Sequence, residues 1–372
     1  MTRWATRVAV VGGGAVGLSS AGDLAARGVE VTLYERDELG SGATGRAAGI
    51  CYDAFADPLD ADVARRALDR YAEWGLLEPC PYVWAARDAD DGRAVREQVG
   101  EMQALGLDVE EVDPVTLGER YPGLDTGGLT ACGVALAAGL VEPEVVVETL
   151  ESRAESAGAT IRTGTPVSLA GPTAVETPDG VESVDSVVVA AGPATEPLVA
   201  DAGVSLALET YRAQALVTDP LDCDLPAFYD ASREWYWRPR GDGLLVGDGA
   251  HAAEPDNCDP EADESFVRSA MERLAGATTL EHVPAVERAW AGCCTATPDR
   301  DPLIGRVADG LWVATGWQGH GLMRAPTVGE AIADGLCEGT EIDARVAEQF
   351  DPSRFDGDES FHPLGDPTAD WD

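Results

Sequence analysis

The feature that most constrains this chain is the order of patterns at its N-terminus. Residues 8–11 (VAVV) are all apolar, as expected for a parallel strand buried on both faces. Residues 15–27 have the pattern of a helix ended by Gly28, and residues 29–34 that of a second strand. This order predicts a βαβ unit, and therefore an α/β fold with a parallel sheet.

The turn between the first strand and the helix, GGGAVG at 12–17, matches the G-x-G-x-x-G pattern of dinucleotide-binding folds. In that pattern the first glycine permits the tight turn, the second lets a pyrophosphate approach the backbone, and the third lets the helix pack on the strand. Phosphates would lie on the helix N-terminus. The predicted contacts in this turn are Gly12, Gly14, Ala15, Val16 and Gly17.

Glu35 ends the second strand, where an acidic residue can bind a ribose hydroxyl. An acid at this point disfavours NADP, although Arg36 beside it leaves that question open. The βαβ unit alone does not separate FAD from NAD. The small-residue loop SGATGRAAGI at 41–50 favours FAD, because small side chains let a flat ring lie against the backbone.

With this loop the sequence resembles the D-amino-acid oxidase superfamily of flavoproteins, which includes glycine oxidase and the sarcosine oxidases. The resemblance covers residues 8–340 and implies non-covalent FAD, bound partly by the second loop. It implies further contacts from the backbone of a strand segment and from two Gly-containing turns. The implied residues are Ala43, Thr44, Gly45, Arg46, Ala48, Gly49, Ile50, Val167, Ala191, Gly192, Gly316, Gln318, Gly319, His320, Gly321, Leu322 and Met323.

The resemblance places the loop at 316–321 near the pyrimidine end of the flavin. The helix beginning near Leu322 would point its N-terminus at the negative charge of reduced flavin. His320 would add a hydrogen bond or a positive charge; the alternative is a structural loop histidine.

Apolar strands of the parallel type recur near residues 187 and 311, and alternating strands fill 206–218 and 234–249. Residues 129–140 have the pattern of a β-hairpin arm. We therefore expect a discontinuous Rossmann-type FAD-binding domain with an inserted α+β substrate domain on a mainly antiparallel sheet. The expected ranges are 1–85, 140–205 and 290–345 for the FAD-binding domain, 86–139 and 206–289 for the substrate domain, and 351–372 for a poorly ordered acidic tail.

The charge balance is extreme: 67 acidic against 26 basic residues, a net charge of −41, with no Lys in the sequence. Such charge disfavours nucleic acid and anionic lipid as partners. The missing Lys excludes Schiff-base chemistry. A solvated acidic surface suited to high salt, as in halophilic proteins, is the favoured interpretation, and an acidic mesophilic protein the alternative.

Composition also bears on location and on metals. The longest apolar stretch, 129–141, is too short for a membrane span, and residues 1–7 lead into a strand without a signal-peptide pattern. We expect a cytoplasmic protein. Its eight scattered Cys predict reduced thiols, and its four isolated His predict no metal site.

At the substrate site, the resemblance implies hydride transfer from an amine carbon to flavin N5, which needs positioning more than acid–base catalysis. Tyr236 is the first candidate to bind a substrate carboxylate; the alternative is aromatic packing on a sheet. The family's carboxylate-binding Arg is replaced by Cys294. Arg324 and Arg238 are the candidates to replace it.

Two further positions depart from the family. Gly292 stands where one member attaches flavin through Cys, and a link through Cys293 would need a shifted register. Leu245 stands where an oxidase Lys promotes reaction with oxygen. The sequence therefore predicts a dehydrogenase with an electron acceptor other than O2.

The predicted function is oxidation of the C–N bond of a small amino acid or secondary amine. Two alternatives stay open: an FAD-dependent dehydrogenase of a 2-hydroxy acid or glycerol phosphate, and a flavin-binding subunit active only with partner subunits.

Overall fold

The structure is a computed structural model that describes residues 6–221, 224–248, 251–252, 258–337, 344–355 and 359–361. Two short 3₁₀ turns, Thr44–Arg46 and Gly192–Ala194, accompany the helices. The helices are α1 (Ala15–Ala26), α2 (Pro58–Glu73), α3 (Ala89–Ala104), α4 (Pro114–Arg120), α5 (Pro143–Ala157), α6 (Thr195–Ala200), α7 (Glu264–Ala277), α8 (Gly321–Leu336) and α9 (Ala344–Gln349).

The strands belong to two large and two small sheets. They are β1 (Arg7–Val11), β2 (Glu30–Tyr34), β3 (Ile50–Cys51), β4 (Glu78–Pro79), β5 (Tyr82–Ala86), β6 (Val109–Val112), β7 (Ala131–Ala135), β8 (Gly139–Leu140), β9 (Thr160–Arg162), β10 (Ser168–Leu169), β11 (Ala174–Thr177), β12 (Gly180–Ser183), β13 (Ser186–Val189), β14 (Glu209–Thr218), β15 (Ala227–Asp230), β16 (Trp235–Arg240), β17 (Gly243–Asp248), β18 (His251–Ala252), β19 (Val286–Ala296), β20 (Leu303–Ala308) and β21 (Leu311–Thr315).

The six-stranded sheet has the order β20-β21-β13-β1-β2-β9. Strand β1 pairs in parallel with both β2 and β13, and β13 with β21, which confirms the predicted parallel α/β core. The alternating residues of β1 serve two layers. Val8 and Val10 pack under α1, α5 and α8, while Ala9 and Val11 face the small sheet β10-β11-β12. Burial on both faces explains why this strand is apolar throughout.

The nine-stranded sheet runs β18-β14-β17-β16-β15-β5-β7-β6, with β19 paired to the other side of β14. Most of its neighbours are antiparallel, as predicted, although β5 and β15 are parallel. One face packs on α7 through Phe266 and Leu274. The opposite face packs on α3 at its β5–β7 end, and at its centre Tyr236 and Leu245 pack with Ala48 of the loop at 43–50. We call this junction between the nine-stranded sheet and the loop the cleft.

The predicted hairpin arm over 129–140 is wrong. Its two strands join different sheets: β7 pairs with β5 and β6, whereas β8 pairs with β3 and β4. The stretch is apolar throughout because both strands are buried, each in its own sheet, and this continuous apolar pattern resembled that of one hairpin. The domain ranges stay a prediction, but three of their boundaries, at 85/86, 139/140 and 289/290, cut through β5, β8 and β19.

The cysteines do not all remain thiols. Cys258 and Cys293 form a disulfide, which corrects the expectation of reduced thiols at Cys293. The residues are 35 positions apart and meet only because the segment before α7 folds along β19, where Ala291 N donates to Pro260 O at 2.8 Å.

The predicted acidic tail is partly described. Residues 351–355 are ordered, because Arg354 donates to the carboxylate of Asp299 at 2.6 Å and Phe355 packs on the six-stranded sheet cluster. Residues 356–358 and 362–372 lie outside the described part. Within the described ranges, no helix has the length and hydrophobicity needed to cross a membrane.

Candidate active site

The carboxyl ends of the parallel strands bring the predicted cofactor segments to one edge of the six-stranded sheet. Gly12 follows β1 with φ +113°, a conformation that favours glycine. A Cβ built on Gly12 would lie 2.4 Å from Ala190 O, and one on Gly17 would lie 2.0 Å from Gly12 O. The turn therefore has no room for side chains at either position.

Side chains from two neighbouring loops bond to this turn. Glu35 Oε2 accepts from Gly13 N at 2.6 Å, and Thr44 Oγ1 accepts from Ala15 N at 3.1 Å. Val16 lies in the first turn of α1. Arg36 instead extends to solvent and pairs with Asp37, so its side chain is turned away from the turn.

The loop at 43–50 lies between the two large sheets. Gly45 N donates to Gly40 O at 2.8 Å, and the Arg46 guanidinium donates to Gly42 O at 3.0 Å. Gly49 is fixed to Val141 by a hydrogen bond of 2.8 Å. Ala43 caps the short turn that begins at Thr44, and Ile50 opens β3.

The remaining backbone contacts flank the same edge. Thr165 N donates to Glu35 O at 2.8 Å, which holds the segment containing Val167 beside the end of β2. Ala191 and Gly192 follow β13, and Ala191 N donates to Thr195 Oγ1 at 3.1 Å.

The loop after β21 closes the edge on its other side. Gly316 N donates to Thr295 Oγ1 at 3.3 Å, and Gln318 N donates to Thr295 O at 2.8 Å. Gln318 has φ +50°, unusual for a residue with a side chain. After Gly319 and the cap His320, α8 begins at Gly321, which confirms the expected helix start next to Leu322 and Met323.

Tyr236 lies on the face of the nine-stranded sheet that packs against the loop at 43–50. Its ring crosses Gly247, whose built Cβ would lie 2.4 Å from the Tyr236 hydroxyl oxygen. Ala48 packs with Tyr236 and Leu245. The register places six residues in one cross-strand row: Trp290, Ala215, Gly247, Tyr236, Tyr229 and Trp84.

Three further tyrosines, Tyr52, Tyr82 and Tyr229, lie in this region and were not predicted from the sequence. Tyr52 follows β3, and its ring stacks on Tyr82 with centroids 4.8 Å apart. Tyr52, Tyr82 and Tyr229 pack against the same apolar cluster, and Tyr229 pairs across the strands with Tyr236. The only sequence signal for Tyr52 was its position two residues after Ile50.

These tyrosines remain protonated at neutral pH. Burial raises the pKa of Tyr52 to about 12 and raises the pKa values of Tyr82, Tyr229 and Tyr236 as well. All four residues are partly buried. The cleft is therefore lined by neutral hydroxyls.

His320 meets this cluster at the Tyr52 hydroxyl, which lies 3.1 Å from His320 Nε2. Burial, and then the nearby charge of Arg324, lower the pKa of His320 to about 3. The ring is neutral at physiological pH. This argues against the expected positive charge on His320 and leaves the hydrogen-bonding role.

The two arginines considered for substrate binding are both committed to carboxylates. Arg324 donates to Asp60 Oδ1 at 2.6 Å, and its Cζ lies 4.8 Å from the centroid of the Phe55 ring. Arg238 donates to Glu142 Oε1 at 2.6 Å, with a side chain 1 % exposed. Neither guanidinium is open to the cleft in this arrangement.

A family model described as FAD dependent oxidoreductase (DAO) matches residues 7–335. The chain belongs to this family. Glycine oxidase of Pseudomonas putida is 29% identical over 362 residues, which cover 90% of this chain and 95% of that protein. The L-proline dehydrogenase structure from P. horikoshii has 26% identity and a TM-score of 0.86, covering 94% of this chain and 98% of that one.

A second curated relative is longer than this chain and matches it over part of its length. The 4-methylaminobutanoate oxidase (formaldehyde-forming) of Paenarthrobacter nicotinovorans is 27% identical over 390 residues, covering 94% of this chain but 46% of that protein. The chain therefore spans about half of that relative.

The cofactor of this FAD-dependent oxidoreductase is FAD. The residues present fit FAD. The turn has no room for side chains at Gly12 and Gly17, and the atom nearest to a Cβ built on Gly14 is Thr44 Oγ1, at 3.1 Å. Backbone N–H groups at the start of α1 can then face a pyrophosphate.

Proposed function

We propose that this FAD-dependent oxidoreductase oxidises the C–N bond of a small amino acid or secondary amine, and that it acts as a dehydrogenase. The observation that carries the proposal is the face of neutral tyrosine hydroxyls opposite the cofactor loops. The named substrates of the similar proteins, glycine, 4-methylaminobutanoate and L-proline, each carry an amine and a carboxylate.

The chain's own residues would act mainly by positioning. Tyr236 would donate a hydrogen bond to a substrate carboxylate, since its hydroxyl stays protonated on the cleft face. Bound FAD would supply the hydride acceptor. The N-terminus of α8 would favour negative charge near its first N–H groups. Arg324, paired with Asp60, would position the Phe55 side of the cleft.

FAD would be held without a covalent bond by the Gly12–Gly17 turn, Glu35, Thr44 and the loops at 43–50, 190–192 and 316–323. Gly292 has no side chain to form such a bond, and the sulfur of Cys293 is already bonded to Cys258.

The dehydrogenase assignment depends on Leu245. This residue is fully buried and packs with Ala48 and Tyr236 on the cleft face, so an apolar side chain occupies the position considered for an oxidase Lys. Electrons would pass to an acceptor other than O2, either a small carrier or a partner subunit. We also propose a cytoplasmic location, on the sequence grounds given above.

The test starts from the visible spectrum of the purified protein, followed by anaerobic addition of glycine, L-proline and 4-methylaminobutanoate. We expect at least one of them to bleach the flavin band near roughly 450 nm, while lactate and glycerol 3-phosphate do not. Bleaching only by a hydroxy acid or glycerol phosphate would overturn the proposal.

Reoxidation separates the two electron acceptors. The substrate-reduced protein is mixed with air-saturated buffer or with an artificial dye acceptor. We expect rapid reoxidation by the dye and slow reoxidation by oxygen. Fast turnover with oxygen alone would remove the dehydrogenase assignment and leave the C–N chemistry intact.

A further inference from the structure

Tyr52 is held rigidly at the junction of the two large sheets. Its ring stacks on Tyr82 at 4.8 Å and on Phe55 at 5.3 Å, and His320 meets it edge-on with centroids 6.2 Å apart. The Arg324 guanidinium lies over the Phe55 ring and donates a hydrogen bond to the Asp60 carboxylate. These contacts leave the Tyr52 hydroxyl little freedom to move away from His320.

One hydrogen bond joins Tyr52 and His320, and the tautomer of His320 decides which of them donates. Both groups are neutral, because burial raises the pKa of Tyr52 to about 12 and, together with Arg324, lowers the pKa of His320 to about 3. A phenol is a stronger donor than an imidazole N–H, and an imidazole nitrogen is a better acceptor than a phenol oxygen. The favoured bond therefore runs from the Tyr52 O–H to His320 Nε2 across 3.1 Å.

This direction fixes what Tyr52 can offer to a ligand. With its proton committed to His320, the hydroxyl oxygen presents only lone pairs, so it accepts hydrogen bonds and donates none. Tyr52 is partly buried, and Tyr82 and Tyr229 pack with it against the same apolar cluster. The contact with His320 holds the Tyr52 oxygen beside the loop at 316–321.

We propose that Tyr52, oriented by His320, positions the substrate nitrogen by accepting an N–H hydrogen bond, and that the site therefore selects primary and secondary amines over tertiary amines. This rests on the proposed function, because it concerns the nitrogen of the same substrate.

The chemistry of the reacting nitrogen supports an acceptor at this place. As the C–H bond breaks, its hydrogen and electron pair would pass as hydride to bound FAD, the nitrogen lone pair would form the C=N bond, and the N–H proton would remain on nitrogen. A donor would occupy the lone pair that the new bond requires. An acceptor holds the N–H and leaves that lone pair available.

The test compares pairs of amines in which N-methylation replaces the N–H hydrogens of the neutral amine. The probes are glycine against N,N-dimethylglycine, and L-proline against N-methyl-L-proline. Anaerobic flavin bleaching is followed at several concentrations, which yields a limiting rate and an apparent Kd. For wild type we expect the N–H amine of at least one pair to bind about tenfold or more tightly than its tertiary partner.

Tyr52→Phe keeps the ring stack and removes the acceptor. We expect its apparent Kd for the N–H amine to rise about tenfold, with little change for the tertiary amine. His320→Phe keeps Tyr52 but removes the acceptor of the Tyr52 O–H. The ratio of the apparent Kd values of the tertiary and N–H amines should therefore become smaller. Tyr121→Phe makes the same chemical change outside the cleft and should leave both Kd values unchanged.

Flavin content and the visible spectrum are measured for each variant to verify that the site is formed. If Tyr52→Phe fails to bind flavin, the His320→Phe result decides alone. Equal effects on both members of a pair, or unchanged preference in both variants, would overturn the inference while the proposed function stands. If wild-type flavin is bleached by no amine, the proposed function itself has failed.

Discussion

The six-stranded and nine-stranded sheets border the same cleft but contribute to it in different ways. The six-stranded sheet contributes backbone: glycines at 12 and 17 keep the turn after β1 free of side chains, and Glu35 and Thr44 bond to its N–H groups. The nine-stranded sheet contributes side chains, since Tyr229 and Tyr236 project from neighbouring strands in one row.

This difference separates two kinds of constraint. A backbone cradle depends on space, so an added methyl group damages it, whereas many side chains around it are tolerated. A side-chain face depends on chemical groups, so single atoms can be changed without moving the backbone. Substrate preference can therefore vary on one side of the cleft while cofactor binding is kept on the other.

The largest expected effect concerns the disulfide that links β19 of the nine-stranded sheet to the segment before α7. Replacing Cys258 and Cys293 by Ser releases a crosslink between residues 35 apart. We expect the free energy of unfolding to fall by about 4 kcal/mol in the loop-entropy description. Guanidinium unfolding of the double variant measures this, with Cys80→Ser, at a cysteine outside any disulfide, as the control. Equal stability would mean that this sheet needs no covalent support.

The next effect concerns the ion pair between α2 and α8, beside the cleft. Asp60→Ala leaves the Arg324 guanidinium buried without its carboxylate, since the two side chains are 14% and 6% exposed. We expect a loss of about 3 kcal/mol in the free energy of unfolding. The control is Asp90→Ala, whose pair with Arg93 is exposed and should contribute less than about 0.5 kcal/mol. Similar losses in both variants would contradict the prediction.

The backbone cradle is tested by one methyl group. In Gly17→Ala the new Cβ would lie 2.0 Å from Gly12 O, so α1 must shift against β1. We expect a stability loss of about 2 kcal/mol and a clear fall in bound FAD per chain, read from the visible spectrum. Gly100→Ala on α3 meets nothing within 4 Å and should retain full FAD content. Normal FAD binding by Gly17→Ala would break the comparison drawn above.

The smallest effect is a pH dependence near Asp301. Burial, and then the neighbouring Asp60 charge, raise the pKa of Asp301 to about 6 from an ordinary 3.8. A carboxyl whose folded pKa is raised binds protons more tightly when folded, so its contribution to stability rises as pH falls from about 7 to 4. Relative to Asp301→Asn, we expect a gain on the order of 1 kcal/mol across that range.

Unfolding of both proteins at several pH values measures the difference and cancels the effect of the overall acidic charge. The contribution of Asp113 to the free energy of unfolding should instead fall as the pH falls, because hydrogen bonds from Thr116 and Val115 lower the pKa of this carboxyl. A wild-type curve parallel to that of Asp301→Asn would sink the prediction.

Much of the fold and of the cofactor site could be predicted, because those signals are local. The turn at 12–17, Glu35 and the loop at 41–50 are adjacent in sequence, and parallel strands necessarily bring their carboxyl ends to one edge. The halophilic character inferred from 67 acidic residues stays a prediction.

The hydroxyl face could not be predicted in the same way. The pattern around Tyr236 pointed to that residue alone. The register of β5, β15 and β16 sets Tyr229 beside Tyr236, and tertiary packing stacks Tyr52 on Tyr82. The same holds for the disulfide and for the neutral state of His320, which depends on burial and on Arg324.

Short-range patterns and backbone sterics are enough to predict a parallel βαβ core with a glycine cradle for a dinucleotide. The side chains that face the cleft, and their protonation states, depend on the folded chain. Those properties come from long-range strand pairing and from desolvation, neither of which any single stretch of sequence contains.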